Sequence, residues 1–407
     1  MLLHLKLEQH LKTQLINKKP TIGFFFLAYL VFKDLLRYNI NGGIMEKIIY
    51  DVLKKIENNS YEAYVVGGYV REKIINNNLS FDIDITTSAK PKDIISIFSD
   101  YDVELYEYGN VSFTIDNYKF DITTFRKDMK YSNNRKPIKI IYIDSLEEDL
   151  KRRDFTINSI CIDKDDNIID YYDGKKDIKK KIIRSIGDPY EKLEEDALRI
   201  LRAIRFATIY KFKLEENLKN AIIKNKDLLK ELSYERKKEE LNKIFSSKHK
   251  KYGIKLLKQL DLLKVLELKN IDNALYNNDI IGIWATITDI NYAFTKREKE
   301  LIDKINNLLN ENINDPLVQY KYGPYPISIV SNIKRLNTKK IIANYEKLPI
   351  KDKNEIKITA SEICDVLHKK PDSFIKDIMS VLEKEILLGH LENDNDRIKE
   401  YITKNFK

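Results

Sequence analysis

The sequence predicts an α+β protein in which a mixed sheet-and-helix region is followed by a long all-helical remainder. Two observations predict it. The chain holds only 12 glycines and 9 prolines in 407 residues, fewer backbone breakers than collagenous, linker-dominated or many-stranded β architectures need. Strand-type runs occur between Ala63 and Phe125, whereas beyond Gly187-Asp188-Pro189 apolar residues recur almost only at helical spacing, as in Leu228 to Phe245 and Ile375 to Leu388. A chain of this length divides into two to four domains.

Before Ala63, an apolar run from Thr21 to Phe32 (TIGFFFLAYLVF) follows Lys18-Lys19-Pro20. It is well short of the roughly 20 residues a membrane span needs, and Lys33, Asp34 and Arg37 stand where a signal peptide would have its small-residue cleavage site. No membrane partner is expected. Asn41-Gly42-Gly43-Ile44-Met45 can be encoded by a purine-rich stretch just ahead of an ATG, of the kind that binds ribosomes. Met45 is therefore expected to be the true start, with residues 1–44 a gene-model extension or a dispensable appendage.

From Glu46 to Asn58 the residues Ile48, Ile49, Val52, Leu53 and Ile56 follow helical spacing. Ala63 to Val66 reads as a short buried strand running into Gly67-Gly68, and a helix begins at Tyr69. Paired glycines between strand and helix let the backbone approach an anion, with Arg71 one turn inside. Alone, the pair is equally a tight turn.

Phe81 to Thr86 (FDIDIT) alternates with period two, so Asp82 and Asp84 share one strand face and Phe81, Ile83 and Ile85 the other. Adjacent carboxylates resist joint ionisation unless a cation sits between them, and oxygen ligands suit magnesium. The bland reading of this tripeptide is a solvated strand face. A third carboxylate changes the balance. Val111–Ile115 and Tyr118–Phe125 flank Asp116-Asn117, a two-residue hairpin connection, and Asp121 falls on the face opposite Phe120 and Ile122. Were this hairpin to lie beside the Asp82/Asp84 strand, three carboxylates could hold two metal ions for in-line nucleotidyl transfer.

Behind a capping box at Ser145 to Glu148, Asp149 to Asn158 (DLKRRDFTIN) offers Arg153 as a planar fork for phosphate, with Asp154 and Asn158 able to hold a ribose. Lys175 to Lys181 is more naturally a wet charged face than a binding site. Glu194 to Arg205 (EEDALRILRAIR) reads as one helix, on which Asp196, Arg199, Arg202 and Arg205 form a slowly turning polar stripe. The plain reading is a string of surface ion pairs. Alternatively, Asp196 could accept from the exocyclic amine of C or A, and Arg199 could donate to the ring acceptor those bases share.

Charge and composition bound the rest. With 72 basic and 63 acidic residues the net charge is +9, compatible with a nucleic-acid partner without demonstrating one. Two cysteines, Cys161 and Cys364, cannot make a disulfide framework or a cysteine-based zinc site, and a reducing cytoplasm is the natural compartment.

Together, Gly67-Gly68-Tyr69-Val70-Arg71, Asp82-Ile83-Asp84, Asp121 to Arg126 (DITTFR), Arg152 to Asn158 and Glu195 to Arg202 closely resemble the class II tRNA nucleotidyltransferase / poly(A) polymerase family, and within it the bacterial CCA-adding enzymes. Leu348 to Lys351 and Glu383 to Arg397 resemble that family's tail. The resemblance covers roughly Met45 to Tyr401. It implies a nucleotidyltransferase head with a mixed sheet (45–185), a helical neck (186–248), a body (249–340) and a tRNA-binding tail (341–407). It further implies that Asp82, Asp84 and Asp121 bind Mg2+ and catalyse. Gly67, Gly68, Arg71, Arg153, Asp154 and Asn158 would meet the nucleotide, Asp196 and Arg199 would select the base, and Arg202 and Arg205 would extend that helix.

The implied activity is template-independent addition of CCA to tRNA from CTP and ATP. An A-adding member, a poly(A) polymerase, or a non-catalytic RNA-binding relative are the alternatives. Glu72 stands where the family has Asp, Asn76 to Ser80 replaces its Gly-Arg lead, and Lys370-Pro371-Asp372 replaces its Lys-Pro-Gly. The stretch Arg126 to Pro137 is full length for the family's flexible loop, which argues against CC-only addition. The five histidines form no His-Asp pair, so the phosphohydrolase domain of some relatives is absent. Oligomeric state is left open.

Overall fold

The computed structural model describes residues 43, 45–76, 82–132 and 136–406. The expectation for residues 1–44 lies outside them, as do Phe81 and Asn77 to Ser80. The chain divides into two compact units. Among the described residues, the first takes those up to 130, 137–180 and 184–187, and the second takes 131–132, 136, 181–183 and 188–406.

In the first unit, helix α1 (45–57) precedes strand β1 (Ala63–Val66), helix α2 (Gly68–Asn76), strand β2 (Asp82–Thr87) and helix α3 (Pro91–Ile97). Strands β3 (Glu104–Leu105), β4 (Asn110–Ile115) and β5 (Tyr118–Thr124) follow, then a pair, β6 (Arg126–Ser132) and β7 (Lys136–Tyr142). Helix α4 (Leu146–Lys151), strands β8 (Cys161–Ile162) and β9 (Ile168–Ile169), and helix α5 (Gly174–Lys180) complete it. The seven-stranded sheet runs β3-β4-β5-β2-β1-β8-β9. Only the central β2–β5 pair is parallel; the others are antiparallel.

Alternation decides which side of this sheet is buried. Val65, Ile83, Ile85, Phe120 and Ile122 point into one core with Val52, Leu53 and Ile56 of α1 and Ile94 of α3. Phe98, Phe113 and Phe120 stack in sequence there, with centroids 4.6 and 5.6 Å apart. The opposite face carries Asp82, Asp84, Asp121 and Thr123. A smaller apolar cluster of Val66, Phe125, Leu146, Leu150 and Cys161 covers part of it. The hairpin turn forms as expected: Asp116 and Asn117 have φ of 47° and 71°, the paired positive values of a type I′ turn, which Asn and Asp tolerate.

The second unit opens with β10 (Ile182–Ile183), paired in parallel with β11 (Lys213–Leu214). Around them lie α6 (Pro189–Glu195), α7 (Leu198–Tyr210), α8 (Glu216–Asn225), α9 (Tyr234–Phe245) and α10 (Lys250–Gln259). Everything described from there to Asn405 is helix and connection. Trp284 is fully buried, and its indole N–H donates to Asn242 at 2.7 Å, satisfying the one polar atom its burial would strand. Among the described residues no helix is long and apolar enough to cross a membrane.

Four expectations change. Glu194 to Arg205 is two helices, because the chain is extended at Asp196 (φ −146°, ψ 105°) and its carboxylate accepts from the Leu198 N–H at 3.1 Å. An Asp whose side chain bonds the backbone two residues on favours a turn over continued helix. Likewise Leu228 to Phe245 breaks at Ser233, whose side chain caps α9. The capping box at Ser145 is half formed: its hydroxyl accepts from Glu148 N–H, while Glu148 faces Lys127 and Lys151. The stretch read as a loop, Arg126 to Pro137, begins in β6 and ends in β7. Its alternating residues are charged, and so give no apolar period.

Candidate active site

The site begins with strand register. Asp84 on β2 stands directly against Asp121 on β5, and Asp82 against Lys119. Parallel partners in register place their side chains on one face, so the expected three carboxylates share a face and two neighbouring strands. Asp84 is half-buried and Asp82 exposed. Burial raises the Asp84 pKa above the usual carboxylate value, and the charges of Asp121 and Asp82 add to the rise. The Arg153 guanidinium and the Gly68 N–H, which donates to this carboxylate, oppose it.

The approach of Asp84 to the β1–α2 turn explains the glycine there. Gly67 has φ +77°, and a Cβ on it would lie 2.8 Å from Asp84 Oδ2. Only glycine accepts both the left-handed backbone and that contact. Gly68 then begins α2 and presents its amide at the acid, as a helix start does to an anion.

Asp121 is differently engaged. Its Oδ1 accepts from the Ser112 hydroxyl, and its Oδ2 lies 3.0 Å from Lys119 Nζ. Consistent with this, no three His, Cys, Asp or Glu side chains among the described residues converge on a point suited to a metal ion. The acids share a face as expected, with Asp121 held by Ser112 and Lys119. The donor set itself, all carboxylate oxygen, fits a hard divalent cation.

Beyond Asp84 a polar chain leads away through Arg71. The Arg71 guanidinium donates to Asn158 Oδ1, and Asn158 Nδ2 donates to Asp154 Oδ1 at 2.9 Å, which also accepts from the Phe155 N–H at 2.8 Å. Asp154 and Asn158 are buried, so in this structure they fix the orientation of Arg71. Arg153 stands near Asp84, and its Nε is buried with no hydrogen-bond acceptor among the described residues. An orphaned buried guanidinium N–H near a strand-to-helix turn is suited to a phosphate oxygen.

In the sequence Asp149 is only the start of a motif. The structure makes it the support of the basic pair. Fully buried, it accepts from Thr86 Oγ1 at 3.0 Å, from the Arg126 N–H at 3.1 Å and from Arg152 at 2.9 Å, with Arg153 at 3.6 Å. Burial alone would raise its pKa, but Arg152 and Arg153 more than offset this and hold it below the usual value.

In the second unit, Asp196 faces Arg236 at 3.4 Å, and Arg199 is buried and donates to Glu195 at 2.6 Å and to the Lys192 carbonyl at 2.8 Å. The expected stripe is therefore divided. Asp196 belongs to the helix junction, whereas Arg202 and Arg205 lie over the Phe206 ring at 5.4 and 4.3 Å, with Arg205 paired to Glu240 at 3.1 Å. Arg236 and Glu240 come from α9, too far along the sequence for spacing to reveal.

Comparison with known proteins gives a consistent result. Residues 63–184 match the family "Poly A polymerase head domain", 211–273 the family "Probable RNA and SrmB- binding site of polymerase A", and 289–402 a tRNA nucleotidyltransferase domain 2 family. A CCA-adding enzyme of Ligilactobacillus salivarius is 33% identical over 381 residues, covering 85% of this chain and 93% of that enzyme. One from Bacillus licheniformis is 32% identical, covering 86% and 96%. Among solved structures, the Bacillus stearothermophilus CCA-adding enzyme in complex with CTP superposes with a TM-score of 0.73 at 23% identity, over 88% of this chain and 96% of that one. The Thermotoga maritima CCA-adding enzyme complexed with tRNA gives 0.65 at 19% identity, over 89% and 95%.

Proposed function

The chain belongs to the CCA-adding enzymes of the poly(A) polymerase family, and on that premise we propose that it adds C, C and A to the 3′ end of tRNA from CTP and ATP, without a nucleic-acid template. The observation that carries this reading is the register of Asp84 against Asp121 with Asp82 on the same face. Gly68, Arg71 and Arg153 flank that row on its β1 side. In each cycle the RNA 3′-hydroxyl oxygen bonds to the α-phosphorus of the incoming nucleotide. The bond from that phosphorus to the bridging oxygen breaks, pyrophosphate leaves, and the hydroxyl proton is released.

Asp82, Asp84 and Asp121 would hold Mg2+, which when bound supplies charge neutralisation for the triphosphate and a lowered hydroxyl pKa. Beside the Gly67-Gly68 turn, the guanidinium of Arg71 fixed by Asn158 and the free N–H of Arg153 bind and orient phosphate oxygens. Asp196 and Arg199 are proposed to select C and A over U and G, the first by accepting from the exocyclic amine and the second by donating to the adjacent ring nitrogen. The cytoplasm is the proposed location.

The testing experiment supplies tRNA transcripts ending at the discriminator base, at C and at CC with each nucleoside triphosphate separately. CTP incorporation on the first two and ATP incorporation on the third is expected. ATP incorporation alone, and only on CC ends, would instead establish the A-adding reading.

A further inference from the structure

The acidic face of the first unit's sheet continues past Asp121. In register, Asp84 stands against Asp121, Asp121 against Ser112, and Ser112 against Glu104. These four side chains make one row across β2, β5, β4 and β3. The phosphate-binding groups named above all lie beyond its Asp84 end. Gly68 and Arg71 follow β1, and Arg153 and Asn158 precede β8, the next strands on that side.

At the other end stands Tyr106, one residue past β3. Its backbone N–H donates to the Asn110 carbonyl at 2.8 Å, and its hydroxyl donates to Glu104. The ring is pinned at both ends yet 50% exposed. It stacks on no other aromatic ring among the described residues, and Lys119 and Asp121 are among the charges nearest it. An isolated exposed tyrosine needs no explanation. A tyrosine held open by a hydrogen bond at the end of a catalytic row does.

We infer that Tyr106 is the stacking platform for the 3′-terminal base of the RNA strand that attacks. The inference rests on the nucleotidyl-transfer reading above. In-line displacement requires the entering and leaving oxygens on opposite sides of the phosphorus. With the triphosphate drawn towards Gly68, Arg71 and Arg153, the entering strand approaches from the Glu104 and Tyr106 side. An aromatic face also suits this task, because stacking is tolerant of base identity. The last base of the acceptor changes from the discriminator to C and again to C as addition proceeds, and one ring can serve all three.

The test compares Tyr106→Ala, Tyr106→Phe and Tyr106→Trp in full-length protein, measuring kcat and KM for tRNA and for CTP, with thermal unfolding as the folding control. Tyr106→Ala should raise KM for tRNA by about 5- to 150-fold, the range that base–aromatic stacking spans, and leave KM for CTP within about twofold. Phe and Trp should restore tRNA KM to near the wild-type value. An unchanged tRNA KM in Tyr106→Ala would overturn the inference, as would a Phe variant as impaired as Ala, or a defect confined to CTP. Wild-type protein that adds nothing to any tRNA would overturn both the inference and the reaction it rests on.

Discussion

Asp84 and Asp121 come from strands with α3, β3 and β4 between them in the chain, yet they stand opposite each other on the only parallel strand pair of the sheet. Parallel pairing follows from topology: β2 and β5 are joined by a long crossover, and the hairpin that returns through β4 brings Asp121 to the position beside Asp84. Everything else in the site is arranged about this pair.

The Gly67 contact gives the sharpest structural prediction. Gly67→Ala puts a Cβ 2.8 Å from Asp84 Oδ2 on a backbone at φ +77°, at a cost of about 1–3 kcal/mol, and must displace the acid. Reduced stability and loss of nucleotide incorporation are expected together. Gly68→Ala meets only Arg71 Nη2, at 3.8 Å, and should unfold at the wild-type temperature.

Asp84 should trade stability for function. Its raised native pKa means that the charged form is disfavoured by folding, so its charge is a liability above that pKa and none below the usual carboxylate value. Asp84→Asn should therefore be inactive yet unfold at a higher temperature than wild type near pH 7. The difference should shrink as pH falls through the raised value. Thermal unfolding as a function of pH checks this, and equal curves at all pH values would contradict it.

Asp149 has the opposite sign. Its native pKa lies below the usual value, so its stabilisation is full above the usual carboxylate range and is lost as pH falls through the depressed value. Asp149→Asn leaves Arg152 without its buried counter-charge and should cost about 3–5 kcal/mol at neutral pH, measured by urea unfolding. The gap to wild type should close in acid.

How much of this was legible in the sequence depended on range. Alternation in FDIDIT and YKFDITT named the face of each acid, because strand periodicity is local. The Asp116-Asn117 turn followed from the residues' tolerance of positive φ. What sequence could not reveal were choices between a local rule and a distant partner. Asp196 left helical spacing to accept from the Leu198 N–H and face Arg236, and Asp149 became a hub only through Thr86 and Arg126. The Ser112 partner of Asp121 depended on how β4 and β5 aligned, whereas Lys119 lies two residues before it on the same strand.

A tRNA partner should register on the second unit's lysines. Lys251, Lys255 and Lys258 recur on one face of α10 and, with Lys211 and Lys248, line a trough of about 700 Å3. Lys258 pairs with Asp272 at 2.6 Å; Lys251 and Lys255 have no ion pair among the described residues. Replacing both with Ala should weaken tRNA binding and flatten its dependence on salt, the logarithmic slope falling by about 0.9 for each phosphate that a lysine no longer neutralises. The incorporation rate at saturating tRNA should hold.

The central claim is that the acid facing Asp84 takes part in the chemistry, and Asp121→Asn tests it most directly. Single-turnover CTP incorporation and tRNA affinity should be measured on the same preparation. A rate at least about 100-fold lower is expected, with tRNA affinity within about twofold of wild type. A variant that retains near-wild-type incorporation would contradict it.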